Sequence, residues 1–270
     1  MISGRYALII GFLILTQSVF CQTQSSQESK IVNLIISFQQ NRYNKPTKAK
    51  ADIQEAIEIA ETIDSKNYLV STKILLGEYY DDNNNSKKAL SQYTEAQILA
   101  KEINDISGLA LSEYNLGFLF STQEGKPKKE EALGHFNTAI KYAQEAKEKL
   151  LLAKSYNAAS FVLYDLEELE KANENSINAL IIFRELNQRA RMAQSYLTLA
   201  RVNNKKEKFN VALEYLDSAI RIYKVSNSKP NINNALLVKS EIYYQKKKYK
   251  KAIFSILDIA SIGGSLAAIF

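Results

Sequence analysis

The chain has 270 residues, 46% hydrophobic and 24% charged, with 35 Lys and Arg against 29 Asp and Glu for a formal net charge of +6. That length supports a substantial core, while only three prolines and nine glycines exclude collagen-like and low-complexity architectures. A single cysteine excludes an internal disulfide framework.

Residues 1–21 read as a secretory signal peptide. Arg5 is the positive n-region, Tyr6 to Leu15 the apolar h-region, and Val19-Phe20-Cys21 the approach to a cut between Cys21 and Gln22. The apolar run is shorter than the roughly 20 residues that cross a membrane. The rival reading is lipidation of Cys21, against which Phe20 occupies a place where that signal takes a small residue. Cleavage removes the cysteine and leaves stability to packing alone. Residues 22–28 form a polar Gln/Ser lead-in.

From residue 29 apolar helical spacing alternates with short polar turns. Ile31, Leu34, Ile35 and Phe38 predict a first helix, and a second follows through Ala49, Ile53 and Ala56. The pattern then repeats at Ala89/Tyr93/Ala96, Ala132/Phe136/Ala139, Ala172/Ser176/Ala179, Ala212/Leu216/Ala219 and Ala252/Ile256/Ile259. The leading alanines stand 40 residues apart, except for 43 between Ala89 and Ala132. A fixed period of this size predicts stacked supersecondary units, none able to bury its apolar face alone. The turn Gln123 to Lys128 is expected to absorb the three extra residues, and Pro46, Pro127 and Pro230 to fall between helices. Tyr93, Phe136, Leu216 and Ile256 are expected to fill the space between adjacent units. Residues 261–270 are uncharged and Gly-broken, without the polar outer face of a capping helix. They are expected either to serve as a makeshift cap or to border a longer chain.

Leu76-Gly77 with Tyr80, then Ala89, Tyr93 and Ala96, resembles the Leu-Gly…Tyr…Ala…Phe…Ala pattern of the tetratricopeptide repeat, and Leu116-Gly117 with Phe120 and Ala132 repeats it. The family's early Trp is absent, Ala159, Ala200 and Ser240 replace the glycine in three units, and the period exceeds the usual repeat of about 34 residues. Longer repeats of this kind resemble those of bacterial regulators and sensor kinases. The resemblance implies an all-α fold, a right-handed α-α superhelix (TPR solenoid) of about six helix pairs over residues 29–260.

Catalytic chemistry finds little support. The single histidine, His135, has no second His or Cys with which to build a metal cluster. No phosphate-binding glycine loop occurs, and the acidic pairs Asp81-Asp82 and Glu167-Glu168 fall in turns. Neither a cofactor nor a metal is expected. Lysines concentrate in turns, at 126–129, 205–208 and 246–251, and read as a solvated edge of an exported protein in preference to a nucleic-acid surface. Membrane association is expected only through a further C-terminal region or lipidation of Cys21.

The family resemblance implies a protein or peptide ligand along the concave face formed by the first helix of each pair. Carried onto this sequence, that face holds Glu78, Asp81, Tyr114, Asn115, Phe118, Tyr156, Asn157, Tyr164, Arg201, Asn204, Glu241 and Tyr244. Asn115 and Asn157 follow Tyr114 and Tyr156 in the same way, and either hold ligand backbone or hydrogen-bond within the helix pair. The functional expectation is a non-catalytic extracytoplasmic sensing region of a bacterial signal-transduction protein. The alternative is a free-standing periplasmic scaffold for envelope assembly.

Overall fold

The computed structural model describes residues 24–263. The signal segment, Cys21 and residues 264–270 lie outside the described residues. Among the described residues are twelve α-helices and no strand: α1 (24–41), α2 (Pro46–Thr62), α3 (Lys66–Asp82), α4 (Ser86–Glu102), α5 (Ile106–Ser121), α6 (Lys126–Glu145), α7 (Lys149–Asp165), α8 (Leu169–Glu185), α9 (Arg189–Lys205), α10 (Phe209–Val225), α11 (Lys229–Gln245) and α12 (Tyr249–Gly263). They form six antiparallel pairs. Residues 24–28, read from sequence as a lead-in, are the first turns of α1.

The 40-residue period has a simple origin. Most helices are 17 residues long, about 26 Å, and most turns are three residues. The middle turn residue takes a left-handed conformation at Asp64, Asn84, Asn104, Lys147, Glu167, Asn187, Glu207, Asn227 and Lys247. At Asp64 its N–H donates to Glu61 while the next N–H, of Ser65, donates to Ala60. This double bond satisfies two carbonyls that the helix end leaves open, and it recurs at all nine positions. Two helices and two such turns make one period. Side-chain caps reinforce two starts, where Asn85 accepts from the Lys88 N–H and Asp105 from the Gly108 N–H.

The third pair departs from this scheme in a place the sequence did not indicate. Its second helix, α6, has 20 residues, so the extra three residues are an added helical turn and not a longer loop. Pro127 sits within that first turn, as Pro46 and Pro230 sit in the first turns of α2 and α11. The expectation that the prolines fall between helices is corrected here. First-turn N–H groups have no intrahelical acceptor, so proline loses no bond there and its fixed φ suits the helix.

Two compact units divide within α5, between Asn115 and Leu116. In the first, Ile31 and Phe38 of α1 meet Ala49, Ile53, Ala56 and Ala60 of α2 and Leu76 of α3. In the second, one cluster joins α9 to α12 through Ala200, Ala212, Leu216, Ala219, Ala235, Ile242 and Ile259. The six alanines that mark the period are buried. Tyr93 and Phe136, expected to fill space between pairs, are buried. Their rings lie on Gly77 and Gly117 of their own pairs, where a missing Cβ on the first helix leaves a hollow that close packing fills.

Candidate functional site

In the first unit, Glu78 and Asp81 occupy the last turns of α3. Glu78 is already engaged: Arg42, just after α1, pairs with both Glu78 and Asp82 and lies over the rings of Phe38 and Tyr43 at 5.8 and 5.4 Å. Burial pulls the Arg42 pKa down, but hydrogen bonds and charge from Asp82 and Glu78 outweigh it and hold the guanidinium above its ordinary value. Asp81 is pushed up by burial and by the neighbouring charge of Asp82. Arg42 was not singled out from sequence; a lone Arg followed by Tyr in a turn carries no signal of two acids 36 and 40 residues away. Tyr114 is half-buried on α5 and Asn115 is buried, its amide nitrogen without a hydrogen-bond partner.

In the second unit the first helices of successive pairs, α7, α9 and α11, are joined by a polar ladder. Ser195 Oγ donates to Asn157 Oδ1 at 2.9 Å, Arg201 to Asn234 Oδ1 at 2.9 Å, and Asn204 Nδ2 to Glu241 at 3.4 Å. This Asn157 bond runs to the next pair, and is not the bond within its own pair expected as the alternative to holding ligand backbone. Tyr156 Oη accepts from Gln144 at 3.1 Å, and Tyr196 from Arg184 at 3.2 Å one period later. Phe118 is exposed. Tyr244 is 66% exposed and meets Tyr249 edge-on at 5.6 Å.

Three predicted residues come together. Tyr164, Asn204 and Glu241 line one cleft of about 630 Å³, with Lys205, Glu207, Phe209 and Gln245 completing its walls. Asn204 is buried and its Oδ1 has no hydrogen-bond donor. Gln245 Nε2 adds a second bond to Glu241 at 3.2 Å. Sequence reading missed Lys205, Phe209 and Gln245, having placed the first in a solvated turn. Their common signal is position: each lies within one turn of a helix end, where the recurring turns fold three successive pairs against one another.

Several lysines of the first two turn clusters are paired where they stand. Lys129 pairs with Asp165 at 3.0 Å, Lys205 with Glu167 at 3.3 Å, Lys206 with Glu170, and Lys128 with Glu131 at 2.8 Å. Exposed pairs like these add little stability, but at 126–129 and 205–208 they offset the cationic charge that phosphate backbones attract. His135 stacks on Phe120 with ring centroids 5.4 Å apart. No cluster of three or more metal-ligating side chains occurs among the described residues.

A sequence profile of the family described as soluble NSF attachment protein, SNAP, matches residues 126–263, just over half of the 270-residue chain. No curated protein sequence matches the chain. A signal transduction ATPase with numerous domains (STAND) carrying a tetratricopeptide repeat sensor, from Pyrococcus horikoshii, superposes with a TM-score of 0.72 at 17% identity, over 95% of this chain and 39% of its own. BtubC (BKLC) from P. vanneervenii does so with 0.64 at 18% identity, over 88% and 91%. A Rap protein complexed with competence and sporulation factor gives 0.58 at 16% identity, over 88% and 75%. At these identities the likeness establishes fold alone, an all-α fold of the tetratricopeptide, α-α superhelical class.

Proposed function

We propose that this chain, which belongs to the soluble NSF attachment protein family, is a non-catalytic protein- or peptide-binding module that receives its ligand in the cleft of the second unit. The observation that carries this reading is the convergence of Tyr164, Asn204 and Glu241 from three successive first helices, with an amide oxygen buried and unsatisfied at their centre. A buried acceptor without a donor costs free energy that a ligand N–H recovers. The family's name describes attachment to a protein; what carries over is that class of activity, with the partner set by the cleft's own chemistry. The structurally similar Rap protein holding competence and sporulation factor supports a ligand-holding use of such an array.

The finer reading is an extracytoplasmic sensing region of a bacterial signal-transduction protein. Its support is the signal-peptide pattern at residues 1–21, the extended period, and the tetratricopeptide sensor of the STAND protein. A free-standing periplasmic scaffold is the second reading, favoured by BtubC, 91% of which is spanned by the same array.

The cleft is tested by selecting binders from a library of extended peptides and titrating the best of them. Affinity is expected to fall about tenfold or more in Tyr164→Ala/Asn204→Ala; undiminished affinity removes the cleft from the argument. Export is tested by fusing residues 1–28 to a reporter enzyme active only outside the bacterial cytoplasm, and a silent reporter ends both extracytoplasmic readings.

A further inference from the structure

We infer that the cleft takes a cationic side chain, the guanidinium or ammonium of an Arg or Lys in an extended peptide; this rests on the binding role proposed above and names its ligand chemistry. The cleft has acceptors in excess. Asn204 Oδ1 is buried and lacks a donor. Glu241 receives only neutral amide hydrogens, from Asn204 at 3.4 Å and Gln245 at 3.2 Å. Glu207, held at the rim by its left-handed turn conformation, pairs with no cation among the described residues. The one cation in the lining, Lys205, is engaged by Glu167 at 3.3 Å. Two carboxylates and an amide oxygen therefore line a space whose one lining cation, Lys205, is drawn to Glu167 outside it.

The remaining walls favour the same occupant. Tyr164 and Phe209 present aromatic rings, and Phe209 already has the Lys246 ammonium 5.8 Å from its centroid, an arrangement in which a ring face attracts a cation. An anionic ligand would meet Glu207 and Glu241 at close range. A neutral donor would satisfy Asn204 and leave both carboxylates unpaired. A guanidinium does both, since its forked N–H groups reach an amide oxygen and a carboxylate together.

The test is an NMR titration of the full chain with three capped tripeptides, Ala-X-Ala, in which X is Arg, citrulline or Glu. Citrulline keeps the shape and most N–H groups of Arg but not the charge. Arg is expected to bind about tenfold more tightly than citrulline, Glu not at all, and the Arg preference to disappear in Glu241→Gln and shrink in Glu207→Gln, each variant keeping its helical circular dichroism. Equal binding of all three peptides overturns the cationic assignment while leaving the cleft a peptide site. Failure of all three to bind overturns both.

Discussion

Gly77 shows how one residue type is imposed by its neighbour. A Cβ there would stand 2.5 Å from the Tyr93 ring, and one at Gly117 2.8 Å from Phe136. Where the first-helix residue is larger the facing residue is no longer aromatic, as in Ala159 with Ser176 and Ala200 with Leu216. Gly77→Ala is expected to cost about 1–3 kcal/mol by overpacking, and Tyr93→Leu in the same chain to recover part of it. Urea unfolding of the four proteins in that cycle measures the coupling; strictly additive costs would show that ring and glycine do not compete for space. Tyr223 makes a different point. It is buried, its hydroxyl has no hydrogen-bond partner, and burial pushes its pKa up to about 12. Removing that oxygen removes an unmet polar group, so Tyr223→Phe is expected to leave stability at neutral pH unchanged or to raise it by up to about 1 kcal/mol. The unfolded side chain ionises near 10.0, so the folded state keeps its proton over the window from about 10 to 12 and stability falls as pH rises through it. The Phe variant is expected to lose less stability over that window, with Tyr93, which burial also pushes up, supplying the rest. Identical alkaline unfolding curves for parent and variant would exclude Tyr223 as a source.

At the scale of the element, the turn is the unit of construction. Nine turns place a residue in the left-handed region, and at Lys147, Glu167, Glu207 and Lys247 that residue is not Gly, Asn or Asp. Left-handed backbone costs an ordinary side chain about 1–2 kcal/mol, while glycine pays about 0.5–1 kcal/mol in unfolded-chain entropy. Lys147→Gly and Glu167→Gly are therefore each expected to stabilise the protein by about 0.5–1 kcal/mol, read as a higher thermal midpoint; a lower midpoint would contradict the turn geometry. These positions were hard to see in the sequence because Lys and Glu carry no turn signal, whereas Asn83-Asn84-Asn85 announces itself. The extra turn of α6 was hidden for a related reason. Gly125 and Pro127 punctuate the chain together, and only the backbone shows that the break comes at Gly125, with its φ of 96°, and that Pro127 already belongs to the helix.

At the scale of the whole molecule, stability in a repeat array is a sum over pairs and their contacts with the next pair. A chain ending before Lys229, which lacks α11 and α12, is expected to keep the helicity of its remaining pairs and to unfold at lower denaturant. Collapse of its entire circular-dichroism signal would mean that the pairs do not carry their own stability. The all-α class, the 40-residue period and the buried alanines were all legible in the sequence, because apolar spacing along a helix is local and six repetitions reinforce it. The candidate site was legible only as a set of first-helix positions. Which of those residues meet was decided by tertiary structure: Asn157 turns to Ser195, Arg201 to Asn234, Glu78 to Arg42, while Tyr164, Asn204 and Glu241 meet around an open cleft. The partners lie 33 to 38 residues apart, on helices that stacking alone brings side by side. A polar side chain at a given helical position is the same letter whether it pairs with the next helix or waits for a ligand, and the difference lies in the distance to its partner.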